Sequence, residues 1–319
     1  MLILYPELKP YIRHQLKVSD IHELYLDEAG DPDGIPLLFL HGGPGSACDA
    51  NSRRFYDPEI YRIITFDQRG CGRSSPHAEL EENNTANLIA DIEAIRNFLS
   101  IDKWVLFGGS WGATLALLYA QAYPQRVLAM ILRGTFLCRQ SDLDWLYKTG
   151  ASRVFPDHWK EFVNFIPELE RHNLIEAYYK RLTGADELAS MAAAKSWASW
   201  EFHCSRLRPS SDVHKLVTKQ HNALALSKIE THWFMHDGFI EENQIMNDIS
   251  RISDIPAKII HGRYDMVCPL DNSVTLHDKW PTSELYIVRD AGHSASEPGI
   301  IDALIRATQD MAEFLESRD

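Results

Sequence analysis

The chain of 319 residues is 45% apolar and 10% aromatic, with 17 Gly and 15 Pro, a globular composition that excludes collagen-like, coiled-coil and disordered architectures and has room for one large domain or two units. Its 45 Asp and Glu against 32 Lys and Arg give a formal charge of −13, which repels phosphates, so neither nucleic acid nor an anionic membrane is expected as a partner. No apolar run nears the ~20 residues of a membrane span, and the Met1–Leu4 run follows no basic region and soon meets Pro6 and Glu7, unlike a secretory signal.

Leu24–Leu26 reads as a strand, and Asp31-Pro32-Asp33-Gly34 as a tight turn in which Pro fixes φ and Gly permits it to be positive. Pro36–Leu40 (PLLFL) and Tyr61–Phe66 (YRIITF) are short apolar runs of the kind buried in parallel sheets. Asn84–Leu99 opens on Asn-Thr capping residues, and its Leu88, Ile92, Ile95 and Leu99 recur at helical spacing. Lys103–Phe107 predicts a strand, Trp111–Ala122 a helix and Val127–Leu132 another strand. From Phe136 to Ile240 the β-branched runs vanish. Leu, Ala, Trp, Tyr and His dominate at helical spacing, as in Trp197–Trp200 and Leu216–Leu226, and 13 acidic residues balance 13 basic ones, so the net charge belongs to the flanking segments. The alternation then resumes with Ala257–Ile260, Glu284–Val288 and a helix from about Ile300 to Glu316.

Strands alternating with helices predict an α/β fold, a mostly parallel sheet flanked by helices. The expected division is one α/β domain, residues 1–135 and 241–319, interrupted by a helical cap over 136–240. The cysteines (Cys48, Cys71, Cys138, Cys204, Cys268) are odd in number and lack any CxxC, which argues for a reducing cytoplasm over a disulfide framework or zinc cluster. Fourteen histidines include no HExxH, and neither a metal nor another cofactor is expected.

Gly108-Gly109-Ser110-Trp111-Gly112 is a GxSxG. Alone it is a weak signal, but it stands between a strand and an Ala/Leu-rich helix, where a sharp turn leaves the Ser hydroxyl exposed and the backbones too close for side chains. Ser110 is the expected nucleophile. The oxyanion that forms on an attacked carbonyl needs N–H donors. One is that of Trp111, and the other belongs to His41-Gly42-Gly43-Pro44-Gly45 after PLLFL, with Gly43 preferred and Gly42 the alternative. A serine hydroxyl also needs a histidine to take its proton and a carboxylate to orient that histidine. Asp265 and His293 each follow a predicted strand, on the sheet edge of Ser110 and in the order Ser, acid, His. Rival acids are Asp271 and Asp278, which fall on a predicted helix, and Asp290, too near His293 to reach beyond local backbone. His261 precedes the acid and is expected to satisfy a backbone group.

With these residues in place the chain resembles the prolyl aminopeptidase (proline iminopeptidase) family of the α/β-hydrolase superfamily. HGGPG, Asp67-Gln68-Arg69-Gly70-Cys71-Gly72-Arg73-Ser74, GGSWG, Leu132-Arg133-Gly134, Gly150-Ala151-Ser152-Arg153 with Phe155-Pro156, GRYD and GHS match it in order over nearly the whole chain. The resemblance implies an α/β-hydrolase fold with an inserted cap. It also implies a serine exopeptidase that releases an N-terminal residue, preferably proline, from small peptides with a free N-terminus. It further implies that two cap glutamates, in Trp200-Glu201 and Ile229-Glu230, hold the substrate amine, and that Phe136 and Cys268 line the pyrrolidine pocket. The residue after the first glutamate is usually Gly in this family and is Phe202 here, which bears on the strictness of proline preference. Asp67 and Arg69 are expected to brace a loop, and Trp197 and Trp200 to pack the cap. The alternatives are a broader aminopeptidase, an esterase or amidase acting on uncharged acyl groups and, more remotely, a non-catalytic receptor, which needs no intact triad. Hydrolases of this fold with Asp as nucleophile are disfavoured by Ser110.

Overall fold

Eight strands form one sheet in the spatial order β1-β2-β4-β3-β5-β6-β7-β8. In chain order these are β1 (Ile12–Lys17), β2 (Glu23–Gly30), β3 (Ile35–Leu40), β4 (Tyr61–Phe66), β5 (Trp104–Gly109), β6 (Val127–Arg133), β7 (Ala257–Gly262) and β8 (Ser283–Val288). The structure, a computed structural model, describes residues 1–208 and 220–318, with backbone only at 220–222. From β4 to β8 every neighbouring pair is parallel, whereas β1 and β2 are antiparallel to their neighbours. All residues of β5 are buried, as a central parallel strand covered on both faces requires.

Helix α1 (Thr85–Phe98) starts where the Asn84 side chain accepts from the Asn87 amide, and it turns Leu88, Ile92 and Ile95 inward. It packs with α2 (Trp111–Ala122) in the core on one face of the sheet. Helix α2 is apolar around its circumference and buried except at its last residue, the pattern of a helix enclosed on all sides. The chain's last helix, named below, places Ile300, Ala303, Leu304, Ala307 and Met311 in the second core, against Ile131 and Val105 on the other face.

Between β6 and β7 the chain leaves the sheet as α3 (Gln140–Tyr147), α4 (Ala151–Val154), α5 (Pro156–Asn164), α6 (Leu174–Leu182), α7 (Glu187–Cys204), α8 (Gln220–Met235) and α9 (Gln244–Asn247). Helix α10 (Leu270–Asp278) follows β7, and α11 (Pro298–Glu316) ends the fold. An aromatic cluster knits the helical insertion together. Phe162 stacks on Tyr178 and Tyr147 on Trp197, each with ring centroids 4.6 Å apart, and Trp197 and Trp200 are almost wholly buried, the packing role expected of them. Of the expected Leu216–Leu226 helix, Leu216 to residue 219 lie outside the described residues, and α8 covers the remainder.

The loop after β4 is tied down by charge. Asp67 accepts from the Cys48 and Arg73 amides and from Arg73 Nε, while Arg69 makes a two-point pair with Asp91 on α1, both distances 2.7 Å. The Arg69–Asp91 pair is enclosed. Asp91→Ala leaves Arg69 only the partly exposed Glu82, whose carboxylate is 3.5 Å away and whose carbonyl it meets at 3.0 Å. It is expected to cost up to ~3–5 kcal/mol in denaturant unfolding, with much of it regained when Arg69 is also made apolar. An unchanged midpoint in Asp91→Ala would refute this bracing role.

Candidate active site

Ser110 is the residue between β5 and α2, held at φ 57° and ψ −126°. A positive φ at a non-glycine residue costs ~1–3 kcal/mol and persists only where its surroundings impose it. Here they do. A Cβ on Gly112 would overlap the Leu40 carbonyl, and one on Gly108 the Gly112 carbonyl, so β3, β5 and α2 meet at a crossing only glycine permits.

The HGGPG loop lies alongside. Gly43 (φ 110°) and Gly45 (φ 100°) occupy left-handed backbone, and among the described residues neither the Gly43 nor the Trp111 N–H has a backbone partner. Both are free to meet a substrate oxygen. A relay of hydrogen bonds fixes their spacing. His41 Nδ1 donates to the Gly42 carbonyl at 2.9 Å, His41 Nε2 accepts from the Gln68 amide at 3.0 Å, and Trp111 Nε1 donates to Gln68 Oε1 at 3.1 Å. Burial holds the His41 imidazole below its usual range, which suits a neutral ring that donates at one nitrogen and accepts at the other.

Asp265 follows β7 and His293 follows β8. Asp265 Oδ2 lies 2.7 Å from His293 Nδ1, and Oδ1 accepts from the Val267 and Cys268 amides. Burial pushes the Asp265 carboxyl up, but the charge and hydrogen bond of His293 outweigh it and leave it below the usual carboxylate range. The rival acids Asp271, Asp278 and Asp290 are all exposed. His261 contacts the Cys268 carbonyl at 2.9 Å and Ser273 Oγ at 2.6 Å, a backbone contact of the kind expected for it.

Sequence reasoning gives Arg133 no role. Its Nη1 lies 3.1 Å from His293 Nε2 and donates to the His293 carbonyl at 2.9 Å. A guanidinium only donates, so Nε2 is unprotonated and the ring proton sits on Nδ1 facing Asp265. That is the tautomer a general base requires. Enclosure pulls the Arg133 guanidinium below its usual range, against the pull of Asp265. The Ser110 hydroxyl lies 4.0 Å from Cys268 Sγ.

Ser110, His293, Gly43, Phe136 and Cys268 line one cavity of about 320 Å³, which Glu201 on α7 and Glu230 on α8 also line. Tyr147 Oη donates to Glu201, and Trp197 Nε1 donates to Glu230 at 2.8 Å. Neither glutamate forms an ion pair among the described residues. Burial, reinforced by the charge of Glu201, pushes Glu230 well above the ordinary carboxylate range, and burial also raises Glu201. Phe202 borders the same cavity. Tyr147 and Trp197 are invisible in the sequence as glutamate partners because helix α3 brings Tyr147 in from 54 positions away. Among the described residues no group of three or more His, Cys, Asp or Glu could hold a metal ion, and no helix is long and apolar enough to cross a membrane.

Because both carboxyls are raised, the fold disfavours their ionised forms. The stability they leave intact below the ordinary carboxylate range is lost as pH rises through the raised values. Glu230→Gln is therefore expected to increase unfolding free energy by ~1–3 kcal/mol at pH 8 and to flatten its decline between pH 5 and pH 8, read from denaturant midpoints. A destabilised variant at pH 8 would contradict the reading of Glu230 as an uncompensated buried carboxyl.

The parallel sheet with a serine at the β5–α2 turn defines a hydrolase class. A sequence-family model of the alpha/beta hydrolase fold matches residues 35–299, so the chain belongs to that superfamily. Relatives called proline iminopeptidase are 50% identical in Xylella fastidiosa (97% of this chain, 99% of that protein) and 50% identical in Xanthomonas citri (98% and 100%). One from Arabidopsis thaliana is 47% identical (98% and 83%). Within the superfamily, the chain belongs to the proline iminopeptidase family. Solved structures of the same fold include an esterase from Exiguobacterium antarcticum (TM-score 0.64, 18% identity, 96% of this chain and all of that one). Another is a 2-hydroxy-6-oxo-6-phenylhexa-2,4-dienoate hydrolase from a Rhodococcus species (TM-score 0.64, 17% identity, 96% and 99%).

Proposed function

We propose that this enzyme is a serine exopeptidase that releases an N-terminal residue, preferably proline, from short peptides with a free N-terminus. The helical segment 136–240 acts as its cap over the catalytic core of 1–135 and 241–319. The observation that carries this reading is the lining of one cavity by a histidine oriented by Asp265 and by two cap carboxyls, Glu230 buried and Glu201 half-buried, that have no ion-pair partner among the described residues.

A substrate ammonium entering between Glu201 and Glu230 supplies the missing positive charge, and the desolvation cost of all three groups is repaid only when they meet. The pyrrolidine ring then lies against Phe136 and Cys268, and the carbonyl carbon reaches Ser110. Its oxygen takes the Gly43 and Trp111 N–H groups, which strengthen their hold as negative charge develops. For attack, His293 Nε2 exchanges Arg133 for the Ser110 hydroxyl and accepts its proton, while Asp265 stabilises the imidazolium. The imidazolium gives that proton to the leaving nitrogen. Water then cleaves the acyl-enzyme by the same route and frees the residue. Phe202 lines the cavity with a ring where the family pattern has glycine, which makes the proline-to-alanine preference a property of this chain to be measured. Localisation in the cytoplasm fits the five thiols, all of them buried and free.

The glutamates impose a pH signature. Their raised carboxyls are neutral at low pH and hold an ammonium only once ionised. The ratio of kcat/KM for prolyl arylamide to that for nitrophenyl acetate should therefore rise with pH, until the substrate amine itself loses its proton. A ratio independent of pH would place amine recognition elsewhere.

A further inference from the structure

A second cavity, of about 390 Å³, adjoins the first, and Gly42, Ser46, Arg133, Arg206 and Ser294 border both. We infer that this junction, with Arg206 and Arg133, binds the free α-carboxylate of a dipeptide's departing residue, which makes the enzyme selective for dipeptides over longer or amidated substrates. The inference rests on the exopeptidase reading above.

Geometry leads to this place. The proton on His293 Nε2 must reach the scissile nitrogen, so the two atoms come within ~3 Å. In a dipeptide the carboxylate carbon lies only ~2.5 Å further on, two bonds from that nitrogen. The carboxylate thus falls within ~5–6 Å of Nε2, and Arg133 Nη1 is already 3.1 Å from Nε2. Glu201 and Glu230, which would hold the amine, border the first cavity and not the second, and the departing residue leaves the scissile carbonyl on the side away from the amine.

The two charged side chains common to both cavities, Arg133 and Arg206, are positive and without an ion-pair partner among the described residues. The Arg206 guanidinium carbon lies 5.7 Å above the Phe202 ring. The carboxylate of Asp49, the acid bordering the second cavity, is occupied by the Asn51 and Ser52 amides and Ser52 Oγ. The backbone beside Arg206 is anchored to the catalytic loop, since the Ser205 carbonyl accepts from both the His293 and the Ser294 amides. The backbone entering Arg206 is therefore tied to the loop that carries His293. Guanidinium forks match a carboxylate at two points, whereas the neutral amide of a longer or capped peptide offers no charge to meet.

The test compares proline release from prolylglycine and prolylglycinamide by the unmutated enzyme, Arg206→Gln and Arg206→Lys. The free acid should exceed the amide in kcat/KM by at least ~10-fold in the unmutated enzyme. Arg206→Gln should reduce that acid-to-amide ratio several-fold, and Arg206→Lys should retain most of it. Using the ratio removes any general loss of activity or folding common to both substrates. An acid-to-amide ratio of one or less in the unmutated enzyme, or a ratio untouched by Arg206→Gln, overturns the subsite while leaving the exopeptidase reading in place. Failure to release proline from either peptide overturns that reading and the subsite with it.

Discussion

Replacing Ser110 by alanine is expected to lower kcat on prolyl arylamides by ~10⁴–10⁶, with no loss of folded protein. The size of the effect follows from the chemistry. With the hydroxyl gone, no atom on this wall of the cavity can form the acyl-enzyme, and what remains is the oxyanion site and substrate binding. The 4.0 Å separation from Cys268 Sγ makes that thiol the nearest substitute nucleophile, but burial first, and then the charge of Asp265, push it well above the ordinary thiol range, so it stays protonated. Folding should be spared because Ala fits the same tight turn, where the glycines at 108 and 112 do the steric accommodation. Purified Ser110→Ala that keeps more than a few per cent of activity would remove Ser110 from the mechanism.

Glu201→Gln and Glu230→Gln should each lower kcat/KM on free-amine substrates by roughly 30- to several-thousand-fold, the usual consequence of removing one member of a buried charge pair. Shape and hydrogen-bonding capacity are kept in both variants. In Glu230→Gln the new amide oxygen can accept from Trp197 Nε1 as Glu230 Oε2 does, so the change is one of charge. Cleavage of nitrophenyl acetate should persist near its original rate, because Ser110, His293 and Asp265 are untouched. Loss of ester cleavage in step with peptide cleavage would show that the glutamates shape the whole cavity and do not act on the amine. Full activity of both variants on prolyl arylamides would move the amine site and favour an esterase.

What the sequence discloses follows the range over which each feature is encoded. Strand β4 and helix α2 are legible to the residue because their apolar patterns are local and their ends are marked. The sharp turn that presents Ser110, the proposed nucleophile, is legible for a related reason: the steric demand at Gly108 and Gly112 is written within five residues of it. Asp265 and His293 emerge through topology, since the strands before them are recognisable and a parallel sheet gathers strand C-termini on one edge. Strand β1 escapes notice because IRHQLK lies at the sheet edge, mostly exposed, and needs no apolar alternation. Arg133 stands in plain view in Leu132-Arg133-Gly134, yet its contact with His293 spans 160 positions and no local pattern encodes it. Tyr147 and Trp197 as partners of the glutamates, and Gln68 as the brace between His41 and Trp111, are hidden in the same way.

In the proposed mechanism a substrate ammonium, met by Glu201 and Glu230, places its own carbonyl on Ser110. The measurement that reaches it most directly is kcat/KM of the unmutated enzyme on prolyl arylamide and on the same compound acetylated at its nitrogen. Acetylation leaves the ring, the carbonyl and the leaving group alone and removes the positive charge. Prolyl arylamide should be preferred by ~10²–10³ or more, as expected when two carboxylates in one cavity lose their counter-charge. Equal cleavage of the two compounds, or faster cleavage of the acetylated one, would contradict it.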